Sequence, residues 1–501
     1  MSVNIFAYNI PFISIFLMML AAIITPILPN RKRIPEKLSC AVVFVNVILS
    51  AYLIYVLTNS GGSLTFNFAM GNFPAPWGNE LRAGPLEAIL SFAFCVSMLL
   101  SLMGNSDSTA EDIPEKRRVI FCVLVNLLTA SLLALTYTND IFTAYVFIEI
   151  NTIAACAIVA VKESPESIRA ALRYMIMSSV GSGLLLIAIC LLYDLTGHLS
   201  MQNMNLVIKN LIANREYIMP LTVALALATI GLAIKSALYP FASWLPDAHG
   251  NSTNVSSAIL SGLVLKGHIF LLIKIFVRVF GLEAIHDLRM DNIIFALGII
   301  AMIMGSVNAL SQVNVKRMIA WSSVAQVGYI FLGIGLNTNA GIAAACLHII
   351  VHATVKPMLY AAVSGLSSAA GHSKSLHALM GTFYVNRWAG LGLIAGAFSM
   401  MGIPAFAGFA SKLSLMLASF DSPVMIFSLA ALVTSSVLNA LYYVPAVIVV
   451  LTHDKTKPKV HMNVSMIYKI SMGIFIALTI YLGLFCVTLL RLLTRGVIVL
   501  G

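Results

Sequence analysis

The chain has 501 residues, 60% of them hydrophobic and 10% charged, with a mean hydropathy of +0.95. Soluble domains carry about 25% charged residues, so this chain has too little polar surface to close on itself in water, and its outer face must meet lipid. The formal net charge of +11 does not point to nucleic acid, because the basic excess falls in short loops between apolar stretches.

A helix needs about 20 apolar residues to cross a hydrocarbon core of about 30 Å. Stretches that qualify lie near 7–28, 38–58, 84–104, 119–137, 140–161, 170–193 and 217–239, and in the second half near 252–278, 292–311, 317–336, 341–368, 388–420, 425–451 and 465–490. They predict an all-α polytopic membrane protein of fourteen helices. Residues 1–28 lack a basic n-region and are followed by further spans, so they read as the first membrane helix rather than a leader. The long connections are 59–83 and 194–216. The second, with Leu199, Met201, Met204, Leu206, Val207 and Leu211, suits a short interfacial helix. The expected units are 1–118 (three helices), 119–280 and 290–451 (two repeats) and 452–501 (a C-terminal helix).

Loop charges orient the bundle. With alternating spans, 18 basic residues fall on one side, among them Arg31, Lys32, Arg173, Lys316, Arg317, Lys455, Lys457 and Lys459. The other side receives seven, including Arg82 and Arg278, and five lie inside spans. Lys and Arg favour the cytoplasmic side, so the richer side is expected to be cytoplasmic, with both termini outside in the plasma membrane.

An internal repeat is visible at FASWL (241–245) and FASKL (409–413), each following a proline-interrupted stretch at Pro240 and Pro404. The two helices run in opposite senses, as an inverted repeat requires, and broken helices at matching places of two repeats point to an ion path. A second match pairs Arg173 and SSV (178–180) with Arg317 and SSV (322–324). It joins helices of the same sense and is set aside.

Charges at membrane depth are the functional signal. Glu149, Lys235, Lys266, Lys274, Lys356 and Lys412 sit inside spans, joined by His268, His348 and His352. A charge at a helix centre costs about 2.5–3.5 kcal/mol on insertion scales, so six total on the order of 15 kcal/mol. Lys274, near a helix end, is expected to snorkel to the interface. Burial disfavours an ammonium and a nearby carboxylate favours it, so a Glu–Lys pair whose separation changes takes up and releases a proton. Glu149 reads as the only acid deep in a span and hence as the partner of Lys235. His348, His352 and Lys356 are spaced i, i+4, i+8 and form one stripe, which suits a proton relay. The same H-x-x-x-H spacing could hold a metal or haem, but no third ligand at suitable spacing accompanies it. The seven cysteines, at positions 40, 95, 122, 156, 190, 346 and 486, form no C-x-x-C and read as small core hydrophobes.

These residues resemble a known family, the antiporter-like subunits of respiratory complex I, Mrp-type cation/proton antiporters and membrane-bound hydrogenases. The carriers are WLPDAH (244–249), SGLVLKG (261–267), NVKRMIAWSSVAQVGY (314–329), HATVKPMLY (352–360) and GIPAFAGFASKL (402–413). The segment GNFPAPWGNELRAGPLEA at 71–88 is most similar to the D-type member of the Mrp antiporters. The resemblance implies two inverted five-helix repeats with discontinuous helices 7 and 12. It implies that Glu149 tunes Lys235, that Lys266 joins two half-channels, that His348 and His352 lie on a hydrophilic axis, and that Lys412 ends it. Asn314, Trp321 and Lys274 depart from the residues common in the family. The resemblance further implies partner membrane subunits, including other antiporter-like ones, and transport of protons and in some complexes sodium. No quinone, flavin or cluster motif is present, so no cofactor is expected on this chain and any redox chemistry belongs to partners. Two other readings stand beside this one: a stand-alone secondary transporter of a small organic anion bound by the lysines, and a membrane scaffold.

Overall fold

A computed structural model describes residues 5–29, 33–59, 65–73, 78–453 and 462–501. The basic residues Arg31, Lys32, Lys455, Lys457 and Lys459, and part of the 71–88 segment, lie outside the described residues. Among the described residues thirteen helices are long and apolar enough to cross a bilayer. The remaining passage, the twelfth, is a pair of half-helices, Arg387–Met401 and Ala407–Ser419. The protein is thus an all-α polytopic membrane protein, as its sequence predicts.

Helix seven is also interrupted. Ile218–Lys235 ends in a turn at 236–240, and Trp244–Asn251 resumes beyond it. Pro240 has no N–H to donate to a helix ladder, and Ala237 adopts a left-handed φ of 54°. In helix twelve the break falls at Gly402, whose φ of 91° is open to glycine but strained for other residues.

Three elements sit at the ends of the bundle. Phe66–Ala69 and Glu80–Ala83 form an antiparallel hairpin, Phe66 opposite Ala83, in the connection that an all-α reading leaves irregular. Two strands alone are marginal in water. Here Phe66 and Phe68 pack on Tyr8, and Phe68 stacks on Phe12 of the first helix. The expected interfacial helix is present as Met201–Ala213, burying Met201, Met204, Asn205 and Ile208 on one face. The C-terminal segment holds two helices, Met466–Leu484 and Cys486–Leu500. The second buries Leu493, Val497 and Leu500, at i, i+4 and i+7, so one face of it packs against the bundle.

Burial divides the spans into two classes. Only 33% of the most apolar window of Met466–Leu484 is buried, against 100% in Asn254–Phe280 and Asn339–Ala369 and 94% in Val315–Gly335. These last three helices, the eighth, eleventh and tenth, have almost no lipid-facing residue, and the eighth and eleventh carry Lys266, His268, His348, His352 and Lys356. Small residues let the helices approach where lipid supplies no hydrophobic drive. The ninth helix, Met290–Leu310, meets the tenth so closely that a Cβ on Gly298 would come 2.6 Å from Leu332 N, and one on Gly328 2.6 Å from Met302 N. Gly298→Val or Gly328→Val is expected to destabilise the protein by about 1–3 kcal/mol through overpacking. Thermal unfolding in detergent checks this, with Gly183→Ala, whose added methyl meets nothing within 4 Å, expected to melt at the wild-type temperature.

Candidate functional site: a buried polar axis

The axis begins at the fifth helix, Ile141–Ala160, which carries Glu149 and Thr152. Lys235 occupies the last position of the first half of helix seven. Its Nζ donates to Glu149 Oε1 at 3.2 Å, Thr152 Oγ1 at 2.9 Å and Ser178 Oγ at 3.3 Å. Ser182 donates to the same Glu149 oxygen. The sequence pairing of Glu149 with Lys235 is therefore a direct ion pair. The lysine side chain is fully buried, while Glu149 is 30% exposed at the flank of the bundle.

The break in helix seven leaves its last carbonyls without helical partners. His268 Nδ1 donates to Lys235 O at 3.1 Å, and Trp244 Nε1 to Ile234 O at 3.3 Å. His268 belongs to the eighth helix, so this bond ties the Glu149–Lys235 end to the centre. Two π-helical stretches interrupt that helix, at Leu260–Val264 and Ile275–Phe280. Lys266 follows the first and donates back to Ser261 O, while Ser261 Oγ meets Ser323 Oγ at 2.9 Å. A Cβ on Gly262 would overlap the Pro357 ring, which fixes how closely the eighth and eleventh helices approach.

On the eleventh helix the predicted stripe is real. The rings of His348 and His352 lie 6.3 Å apart and nearly parallel, and Lys356 donates to Ile319 O at 2.9 Å and to Ser322 Oγ. Ser322 Oγ in turn meets the Tyr443 hydroxyl at 2.8 Å. His348 Nδ1 is hydrogen-bonded to Ser411 Oγ at 3.0 Å, one residue before Lys412. Lys412 Nζ donates to Met400 O at 2.7 Å, Met401 O at 3.2 Å and Ser436 Oγ at 3.3 Å, and lies 4.9 Å over the Tyr329 ring. Of the predicted site residues, the structure thus joins Glu149 and Lys235 in one ion pair and groups His348, His352 and Lys412 around Ser411 and Tyr329, with Lys266 on the eighth helix two residues before His268. Among the described residues, no group of three or more His, Cys, Asp or Glu is placed to hold a metal ion.

The structure corrects three sequence readings and adds to a fourth. Lys274 does not snorkel: it is 1% exposed, and its Nζ donates to the carbonyls of Leu135, Thr136 and Thr138 at the end of the fourth helix. Lys316 is no loop charge, being fully buried with Nζ on Ser252 O at 2.8 Å. Glu149 is the acid deep in a span, but acids at helix starts are buried too. Glu87, in the first turn of the third helix, is 1% exposed and pairs with Arg82 at 2.7 Å. Finally, the same-sense match has structural content. Arg173 and Arg317 both bind Asp247, and five residues on, Ser178 and Ser322 each accept from a buried lysine, Lys235 and Lys356. His249 was missed as a site residue, although it closes the WLPDAH motif. It is fully buried, with its ring 5.0 Å from that of Tyr360.

The chain and its fold have counterparts among known proteins. Residues 138–439 match the family described as NADH:quinone oxidoreductase/Mrp antiporter, transmembrane. The chain belongs to this family. It is 32% identical over 389 residues to NADH-quinone oxidoreductase subunit N of Desulforudis audaxviator, covering 75% of this chain and 74% of the relative. It is 26% identical over 408 residues to the putative antiporter subunit mnhD2 of Staphylococcus aureus, covering 81% and 78%. Among solved structures, a chain of the Mrp complex from Dietzia sp. superposes with a TM-score of 0.87 at 20% identity, covering 99% of this chain and 97% of that one. A chain of an archaeal membrane-bound sulfane sulfur reductase superposes with a TM-score of 0.85 at 24% identity, covering 99% and 96%. The likeness to both structures is one of fold.

The three-point seating of Lys235 makes a graded prediction. Thr152→Val keeps the shape and removes one hydroxyl acceptor, so transport by the assembled complex is expected to fall roughly fivefold, the equivalent of about 1 kcal/mol. Lys235→Ala in the same transport measurement is expected to lose far more.

Proposed function

We propose that this chain is a proton-translocating, antiporter-like subunit of a multisubunit membrane complex. Protons move along Glu149, Lys235, Lys266, His348, His352 and Lys412, across two antiporter repeats at 119–280 and 290–451. The observation that carries the reading is the row of buried amines and imidazoles, centred on helices without lipid contact and linked by hydroxyls and freed carbonyls. Intramembrane ionisable groups are rare and mark ion pathways. Moving one charge against 100 mV requires about 2.3 kcal/mol, which the opening of one buried ion pair can gate.

Partner subunits are supported by Glu149, whose 30% exposure would leave part of a carboxylate against lipid in an isolated chain. The relatives named as an NADH-quinone oxidoreductase subunit and an antiporter subunit support the same reading. Sodium coupling belongs to this proposal as an option of the whole complex. The anion-carrier reading is less well supported, because the lysine amines are turned onto carbonyls and hydroxyls of their own bundle.

Lys235→Ala and Lys412→Ala, each in the complex reconstituted in vesicles, are expected to abolish most proton transport while assembly persists. Wild-type transport in both would refute the relay. The loop charges support a cytoplasmic basic side with both termini outside. In a cysteine-free background, His372→Cys is then expected to resist an impermeant thiol reagent applied to intact cells, and Asn214→Cys to react with it. The reverse pattern would invert the topology.

A further inference from the structure

The half-helix Trp244–Asn251 joins the basic-side surface to the axis, and the relay above makes no use of it. Asp247 faces outward, with Oδ2 2.6 Å from Arg173 Nη1 and Oδ1 against Arg317. With Glu166, Arg169 and Asn251 these residues line a cavity of about 160 Å³. His249 stands two residues further on, about 200° around the helix, and therefore points the other way, into the bundle.

Its surroundings are unusual for a structural histidine. The side chain is fully buried, and neither Nδ1 nor Nε2 has a hydrogen-bond partner. A buried polar group left unpaired costs about 1–3 kcal/mol. The ring stacks on Tyr360 with an interplanar angle of 21°, and the Tyr360 hydroxyl is likewise unpartnered. Tyr360 lies four residues beyond Lys356, so His348, His352, Lys356 and Tyr360 form one continuous stripe and His249 sits at its end. The cations that act on His249 are Lys316, Lys356 and Lys266, borne by the tenth, eleventh and eighth helices. Imidazole can take a proton at one nitrogen and release another from the second.

We infer that His249 is a proton-transfer residue that connects water in the Asp247 cavity with Lys356 on the eleventh helix, and that Arg173 and Arg317 position it through Asp247. Neutral His249 accepts a proton from cavity water at one ring nitrogen. The imidazolium then gives the proton on its other nitrogen to the Lys356 amine, and the ring returns to a neutral tautomer. This inference rests on the relay proposed above and supplies its opening to the basic side.

The test uses the complete complex in vesicles. His249→Gln and His249→Ala are expected to lower proton transport at least about tenfold, with subunit assembly intact. Added imidazole is expected to restore part of the rate to His249→Ala and none to Lys235→Ala. A wild-type rate in His249→Gln, or a loss in His249→Ala that imidazole does not relieve, overturns the assignment. If Lys235→Ala abolishes transport while His249→Gln does not, only this opening fails. If Lys235→Ala and Lys412→Ala are also active, the relay itself fails.

Discussion

The structure depends on keeping ammonium groups out of lipid while leaving them partners they can exchange. Lys235, Lys266, Lys274, Lys316 and Lys356 are all 0–1% exposed, yet among these only Lys235 is within salt-bridge distance of a carboxylate. The others donate to backbone carbonyls and serine hydroxyls. Such partners satisfy N–H groups without fixing a charge, whereas a buried pair deprived of one member is costly. Among these lysines the Glu149–Lys235 pair is therefore the one whose displacement would separate opposite charges.

The broken helices supply those carbonyls. In FASWL, Trp244 donates to Ile234 O across the break of helix seven. In FASKL, Lys412, at the same motif position, donates to Met400 O and Met401 O across the break of helix twelve. One site thus uses an indole N–H where the other uses an amine, with the same kind of acceptor. Irregular backbone at membrane depth persists only where it is buried or lines a hydrated cavity, and here it is packed among neighbouring helices of the bundle. The ionisable groups and the breaks are two aspects of one arrangement.

Much of this was legible in the sequence. Hydropathy gave the number of passages, because a bilayer imposes one length on every span, and prolines together with the repeated pentapeptide located both breaks. The stripe on the eleventh helix followed from its period of four. Other features lay beyond such reasoning. Lys316 and Lys274 look like interface residues by position along a span, and only the packing of neighbouring helices shows them buried. Glu87 lies in the first turn of a helix, where carboxylates are ordinary, and its burial comes with Arg82 on the hairpin. His249 carries no periodic signal, because it belongs to a half-helix of eight residues whose inward face is set by Asp247 on the opposite side.

The central claim is that Glu149 and Lys235 act as one unit in moving charge. The most direct measurement is a double-mutant cycle on proton transport by the assembled complex, with Glu149→Gln, Lys235→Gln and the double variant. Residues that act as a unit are strongly non-additive, so the account predicts that the double variant loses no more than the worse single one. Losses that multiply would show two independent contributions and contradict it.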